Sequence, residues 1–172
     1  MTIKGKAYLA GIYEHPTRKA EGISLQQLHA EVAKGALEDA GLSIRDVDGY
    51  FCAGDAPGLG ALSMADYLGL DVRHTDSTET GGSSYIVHVN HAAQAIAAGK
   101  CKVALITLAG KPRTGGAQPG RMPLAVQPPD VPFEMPYKPT VLNISAMCAQ
   151  RYMHKFGTTA EQLAWIKVAA SQ

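Results

Sequence analysis

The sequence predicts an α/β fold on a mostly parallel sheet, with a buried central helix and an inserted loop region. Three observations carry this. Short apolar runs alternate with helical patterns, so successive strands are joined by crossovers and pair in parallel. Residues 83–98 form a helix of almost only small and apolar residues, with His88, Asn90, His91 and Gln94 as its polar positions. A surface helix of a lone domain keeps a polar face, so this one is expected to be covered on most sides. From residue 110 to 139 the regular patterns stop, and most of the ten prolines fall there.

Taken in order, residues 6–13 read as a first strand, with Ala7, Leu9 and Ile12 apolar, followed by a polar loop. Ser24-Leu25-Gln26-Gln27 has the form of a capping box, in which Ser24 and Gln27 each bond the other's backbone N–H. It opens an amphipathic helix with Leu25, Leu28, Val32, Ala36, Leu37 and Ala40 at helical spacing, and Gly41 suits the residue just past its end. Residues 42–53 read as a turn and a second strand, 61–68 as a short helix, and 71–75 as a brief strand. Glu79-Thr80-Gly81-Gly82-Ser83-Ser84-Tyr85 is a glycine turn that opens the apolar helix. Free N–H groups and the positive end of the helix dipole point toward whatever sits at that turn. Gly99 stops the helix and residues 103–108 form a further strand. Residues 140–154 and 158–170 read as two helices separated by Gly157.

Composition removes several function classes. The chain has 172 residues, 46% of them hydrophobic, which suits one globular domain. No apolar run approaches the roughly 20 residues that span a bilayer, and the N-terminus lacks a long apolar region, so a cytoplasmic location is the default expectation. A formal charge of +1 is too balanced for a nucleic-acid partner. Cys52, Cys101 and Cys148 are scattered, which disfavours both disulfide and zinc readings. His88 and His91 lie one helical turn apart without a third ligand, so they are expected to be buried histidines bonded to polar neighbours, and no metal is expected. Gly110-Lys111 is followed by Pro112 where a phosphate-binding loop needs Ser or Thr. No Gly-x-Gly-x-x-Gly turn follows the first strand, which counts against a Rossmann-like nucleotide binder.

Three segments together resemble the thiolase superfamily, most closely its sterol-carrier-protein type thiolases and thiolase-like lipid-transfer proteins. They are the Gly41-Leu42-Ser43 to Asp46-Val47-Asp48 turn, the helix end Ala92-Ala93-Gln94-Ala95-Ile96-Ala97-Ala98-Gly99, and the run from Arg151 through Gly157-Thr158-Thr159 to Glu161-Gln162-Leu163. The resemblance covers almost the whole chain but only the N-terminal half of a family subunit. It implies a thiolase-like αβα core over residues 1–109, a loop-domain insertion over 110–157, and the start of a return to the core over 158–172. The catalytic bases would lie in a C-terminal half beyond these residues, so residues 1–172 alone are expected to expose the apolar helix. In that register the nucleophilic cysteine falls on Gly82, and a slip of a residue or two would place Gly81, Ser83 or Ser84 there instead. Coenzyme A is implied as part of the substrate, with no covalently bound cofactor. Lys111, Arg113 and Arg121 fall where its phosphates would lie, and cations are expected near phosphates. Tyr85 reads either as a core aromatic or as a catalytic hydroxyl beside the vacated position. Tyr137 and Met147 fit an acyl channel or ordinary packing, and Cys148 reads as a buried structural thiol.

The missing cysteine narrows the chemistry. Thiolytic cleavage or Claisen condensation through an acyl-enzyme requires a thiolate, because serine without an adjacent base is a poor nucleophile. Binding an acyl-CoA and stabilising its enolate needs only oxyanion donors. That leaves retro-aldol cleavage of a β-hydroxyacyl-CoA, as in the thiolase-like aldolases of sterol side-chain degradation. The resemblance then implies a homodimer when full-length and an OB-fold acyl-CoA-binding partner protein. The alternative is a non-catalytic acyl-CoA or lipid carrier, or a scaffold subunit.

Overall fold

In the computed structural model, residues 3–53, 56–114, 133, 135–137 and 141–171 are described. The chain divides into two compact units, Met1–Pro123 and Leu124–Gln172. The first holds α1 (Leu25–Ala40), a 3-10 turn (Ile44–Asp46), β1 (Gly49–Phe51), α2 (Ala61–Leu68), β2 (His74–Asp76), α3 (Ser84–Ala97), β3 (Ala104–Ile106) and a second 3-10 turn (Pro112–Thr114). The described strands form one parallel sheet in the order β2-β1-β3. The parallel α/β expectation therefore holds.

Helix α1 starts and stops where its capping residues place it. Ser24 Oγ accepts from the Gln27 N–H at 3.0 Å, while the Gln27 side chain turns away to Glu31, so half of the reciprocal box forms. At the other end Gly41 takes φ +67°, the left-handed region that glycine enters without strain, and lets the Leu42 N–H reach the Leu37 carbonyl at 2.9 Å. Strand β1 is the centre of the sheet, with Tyr50 and Phe51 both fully buried. Successive strand residues face opposite ways. Tyr50 accordingly packs with Ala33, Leu37 and Met64 on the α1 and α2 side, and Phe51 with Ala92, Ala95 and Cys101 on the α3 side. Asp48 fixes the start of β3: its Oδ1 accepts the Lys102 and Val103 N–H groups at 2.7 and 2.9 Å.

One expectation is corrected within this unit. Residues 6–13 form no strand; Tyr8, Leu9 and Ile12 are more than four-fifths exposed. Their backbone lies instead on α1. Gly11 sits so close that a Cβ would stand 2.4 Å from the Ala36 carbonyl oxygen, the Ile12 N–H donates to Asp39 at 2.9 Å, and His15 reaches Glu31 at 2.8 Å. No described strand lies beside the segment, so alternating apolar residues have no ladder to join. Helix α3 is covered along one stripe only, Ser84, His88, Ala92 and Ala95, while Ile86 and Val89 stand exposed.

The second unit contains a 3-10 turn (Met135–Tyr137), α4 (Val141–Phe156) and α5 (Ala160–Ser171). Thr159 and Gln162 make a reciprocal cap, with the Thr159 N–H donating to Gln162 at 2.9 Å and the Gln162 N–H to Thr159 at 3.3 Å. Cys148 is exposed on α4, not buried. Tyr137 and Met147 are also exposed. No described helix is long and apolar enough to cross a membrane.

Candidate functional site

The turn between β2 and α3 is organised by two carboxylates. Asp76, the last residue of β2, accepts the Thr78 N–H and the Thr78 hydroxyl at Oδ1, both at 2.7 Å, and its Oδ2 meets the His91 Nδ1. Burial alone would raise the Asp76 pKa, but the Thr78 hydroxyl, the His91 ring and the Thr78 backbone N–H together hold it down at about 2. Glu79 accepts the Gly81 N–H at 2.7 Å and lies 3.0 Å from the Ser84 hydroxyl. Negative charge at the N-terminus of α3 is favoured by the free N–H groups and the helix dipole. Side-chain to backbone bonds two residues apart, Asp76 to Thr78 and Glu79 to Gly81, thus shape the turn.

His88 is fully buried below this turn, with Nε2 2.9 Å from the Thr78 carbonyl oxygen. A carbonyl only accepts, so the His88 Nε2–H is the donor in this bond. His88 and His91 are thus bonded to Thr78 and Asp76, and among the described residues no three His, Cys, Asp or Glu side chains gather as a metal site.

The expected site residues fall in two places. Ser84 is fully buried and its hydroxyl closes the turn, 2.6 Å from the Gly81 carbonyl and accepting the Thr80 N–H at 2.8 Å. Ser83 and Gly82 are exposed at the tip, with the Ser83 hydroxyl donating to the Thr80 carbonyl at 3.1 Å. Gly81 has φ +73°, whereas a Cβ at Gly82 would meet nothing within 4 Å. Tyr85, Lys111 and Arg113 line one cavity of about 1000 Å³, together with residues of the 8–20 segment, α1, α3 and β3. None of Gly81, Gly82, Ser83 or Ser84 lines it. The Tyr85 ring stands edge-on to His88 at 5.8 Å, and the Lys111 Nζ donates to the Ile23 carbonyl. Arg121 lies outside the described residues. Sequence reasoning missed the roles of Asp76, Thr78 and Glu79; the Asp-x-Thr and Glu-x-Gly spacings were the available signal.

No protein-family model matches the chain. It is 30% identical over 183 residues to a 17-hydroxy-3-oxo-4-pregnene-20-carboxyl-CoA lyase of Mycobacterium tuberculosis (strain ATCC 25618 / H37Rv), covering 97% of this chain and 45% of that protein. It is 30% identical over 173 residues to a steroid side-chain-cleaving aldolase of Thermomonospora curvata, covering 96% of this chain and 44% of the relative. Among solved structures, the Ltp2-ChsH2(DUF35) aldolase superposes with a TM-score of 0.74 at 30% identity, over 88% of this chain and 39% of that one. These likenesses support the thiolase superfamily. The chain spans less than half the length of these relatives. Within a thiolase-like fold the β2 to α3 turn sits at the carboxyl end of the sheet, where open α/β sheets bind their ligands.

The Asp76 to His91 pair gives a stability prediction. A depressed carboxylate pKa stabilises the fold fully above the unfolded value of 3.8, and the effect is lost as pH falls through the folded value of about 2. Urea unfolding should therefore show a loss of about 2 kcal/mol between pH 4 and pH 2 that Asp76→Asn removes. An acid limb of the same size in the Asn variant would assign the loss to other groups.

Proposed function

We propose that the complete protein containing this chain cleaves a β-hydroxyacyl-CoA by a retro-aldol reaction, with a steroid side chain as the acyl class. The observation that carries this reading is the alignment of nearly the whole chain with a CoA-ester lyase and a steroid side-chain-cleaving aldolase. The β2 to α3 turn supports it. The turn itself contains no thiol, and of the three cysteines Cys52 and Cys101 are buried while Cys148 lies on α4. An acyl-enzyme has no nucleophile there, whereas an enolate needs only donors.

In this reading the β-hydroxyl gives its proton to a base and its oxygen becomes the carbonyl of the released fragment. The bond between the α and β carbons breaks, its electron pair enters the thioester enolate, and protonation of the α carbon yields the shortened acyl-CoA. Glu79 already occupies the Gly81 N–H, so the donors to the enolate oxygen come from Gly82 and Ser83. Tyr85 takes part in proton transfer, and Lys111, Arg113 and Arg121 hold the phosphates of coenzyme A. The second base comes from the polypeptide that the relatives possess and this chain does not span. The solved neighbour's name joins two components, Ltp2 and ChsH2; by analogy the protein works with a small acyl-CoA-binding partner, and the assembly is built on a homodimer.

The test is turnover by the full-length protein with its partner. We expect a ketone or aldehyde and a shorter acyl-CoA from a β-hydroxyacyl-CoA, no acyl adduct by mass spectrometry, and activity that survives cysteine alkylation. An acyl group on Cys52, Cys101 or Cys148 during turnover would replace the aldol reading with thiolase chemistry. Binding without any carbonyl product would make the protein a carrier.

A further inference from the structure

Side-chain bonds from the segment after β3 run to α1 and to the residue before its cap. Thr107 follows β3 directly. Its N–H donates to the Phe51 carbonyl at 3.1 Å, while its buried hydroxyl turns to α1 and stands 2.8 Å from the His29 Nδ1. Ala109 is buried with Ala20 and Leu28. The Lys111 Nζ then donates to the carbonyl of Ile23, the residue before the Ser24 cap. Thr107, Ala109 and Lys111 thus meet His29, Leu28 and Ile23 in turn, which lays the segment along α1 from its second turn to its start.

Lys111 is held there by a neutral acceptor. Arg18 and Lys19 pair with Glu14 and Glu21, whereas among the described residues no carboxylate pairs with Lys111. A carbonyl takes one of the three ammonium N–H groups and none of the charge. Two N–H groups and the full positive charge are left for an anion. The Ile23 bond also fixes a flexible four-carbon stem, so the rotamer freedom that binding would cost is already lost in the free protein. One turn further, the Thr114 N–H donates to the Lys111 carbonyl at 3.1 Å and closes the 3-10 turn that carries the exposed Arg113. The path of residues 107–111 along α1 therefore sets where both cations stand.

We propose that Thr107 is a positioning residue for coenzyme A: by bonding His29 it lays residues 107–111 on α1 and aims Lys111 at a phosphate, an assignment that rests on the acyl-CoA reading above. Lys111 then becomes the residue that distinguishes a coenzyme A thioester from the same acyl group on a shorter thiol. The ammonium stands in place before the ligand arrives, and binding is tighter for it. Loss of the Thr107 hydroxyl frees the segment from α1 at its sheet end and leaves the turn from Gly82 to Tyr85 as it is. Affinity for the phosphates falls, and affinity for the pantetheine arm does not.

Titration calorimetry of the full-length protein with its partner tests this, with coenzyme A and pantetheine as the two probes. The parent should bind coenzyme A more tightly than pantetheine. Lys111→Met keeps the length of the stem and should weaken coenzyme A at least about tenfold, the size of one hydrogen bond to a charged group, with pantetheine unchanged. Thr107→Val should act in the same direction without removing a charge, and Thr107→Ser, which keeps the hydroxyl, should restore the parent affinity. Equal weakening of both probes in Thr107→Val would reduce the His29 bond to folding and overturn the proposal. A coenzyme A preference that survives Lys111→Met overturns it as well, and that variant removes only a half-buried side chain, so the result stands even if Thr107→Val does not fold. A parent that binds both thiols alike removes the phosphate reading itself, whereas a parent preference untouched in Thr107→Val overturns the positioning role alone.

Discussion

Phe51→Ala should cost about 3–5 kcal/mol, the range for truncating a buried aromatic side chain. Phe51 is fully buried on the central strand, packed against Ala92, Ala95 and Cys101, with its ring edge-on to His74 at 5.7 Å and tilted to His88 at 6.1 Å. Two small alanines on α3 cannot expand into the space, so collapse recovers little of the loss. Against a total stability of about 5–15 kcal/mol, a change of that size leaves the variant marginal. Urea titration should show a lower midpoint with an unchanged slope. A midpoint within experimental error of the parent would mean that α3 does not depend on the ring to stay on the sheet.

Tyr85→Phe should lower turnover of the complete enzyme by about 10²–10⁴-fold while leaving acyl-CoA binding intact, the range expected when a proton-transfer group is removed. The substitution keeps the ring, and with it the edge-on contact to His88. Loss of packing is therefore an unsuitable explanation for lost turnover. Parallel measurement of kcat and of acyl-CoA affinity separates the roles: unchanged kcat reduces Tyr85 to a wall of the cavity, and weakened binding with unchanged kcat makes it a substrate contact. A fall in the Tm of the variant would assign the effect to folding.

What was legible in the sequence was what local chemistry decides. The helix from Leu25 to Ala40 carried its own start, stop and buried face in Ser24, Gly41 and the 3.6-residue spacing, and α2 and α3 were equally readable. Strand pairing is not local. The alternation in residues 6–13 describes a segment able to enter a sheet, and whether it does depends on a neighbour far away in the chain. The same reason explains Cys148, whose helix looked like a buried one but lies exposed in the second unit. At the candidate site the glycine turn and the helix behind it were read correctly as elements, but Ser84, one of the residues that a slip of register would place at the nucleophile position, uses its hydroxyl to hold the turn closed. A hydroxyl has both options in sequence, and only the backbone path decides between them. The buried set of His29, Thr107 and Tyr50, with Thr107 Oγ1 2.8 Å from His29 and 2.6 Å from Tyr50, joins residues up to 78 positions apart and left no trace in spacing.

The open space at Gly82 bears on how reaction types diverge on one scaffold. Gly81 beside it holds the turn with a left-handed φ, but Gly82 has no such φ, and a Cβ built on it meets no atom within 4 Å. Neither sterics nor backbone strain keeps the position bare. If acyl-enzyme chemistry and aldol chemistry differ at this point of the fold, the difference is a side chain that the turn accepts without rearrangement, so an ancestor could gain or lose the nucleophile in one substitution while its stability stayed level. Selection would then act on the reaction alone, and the fold would record nothing of the change.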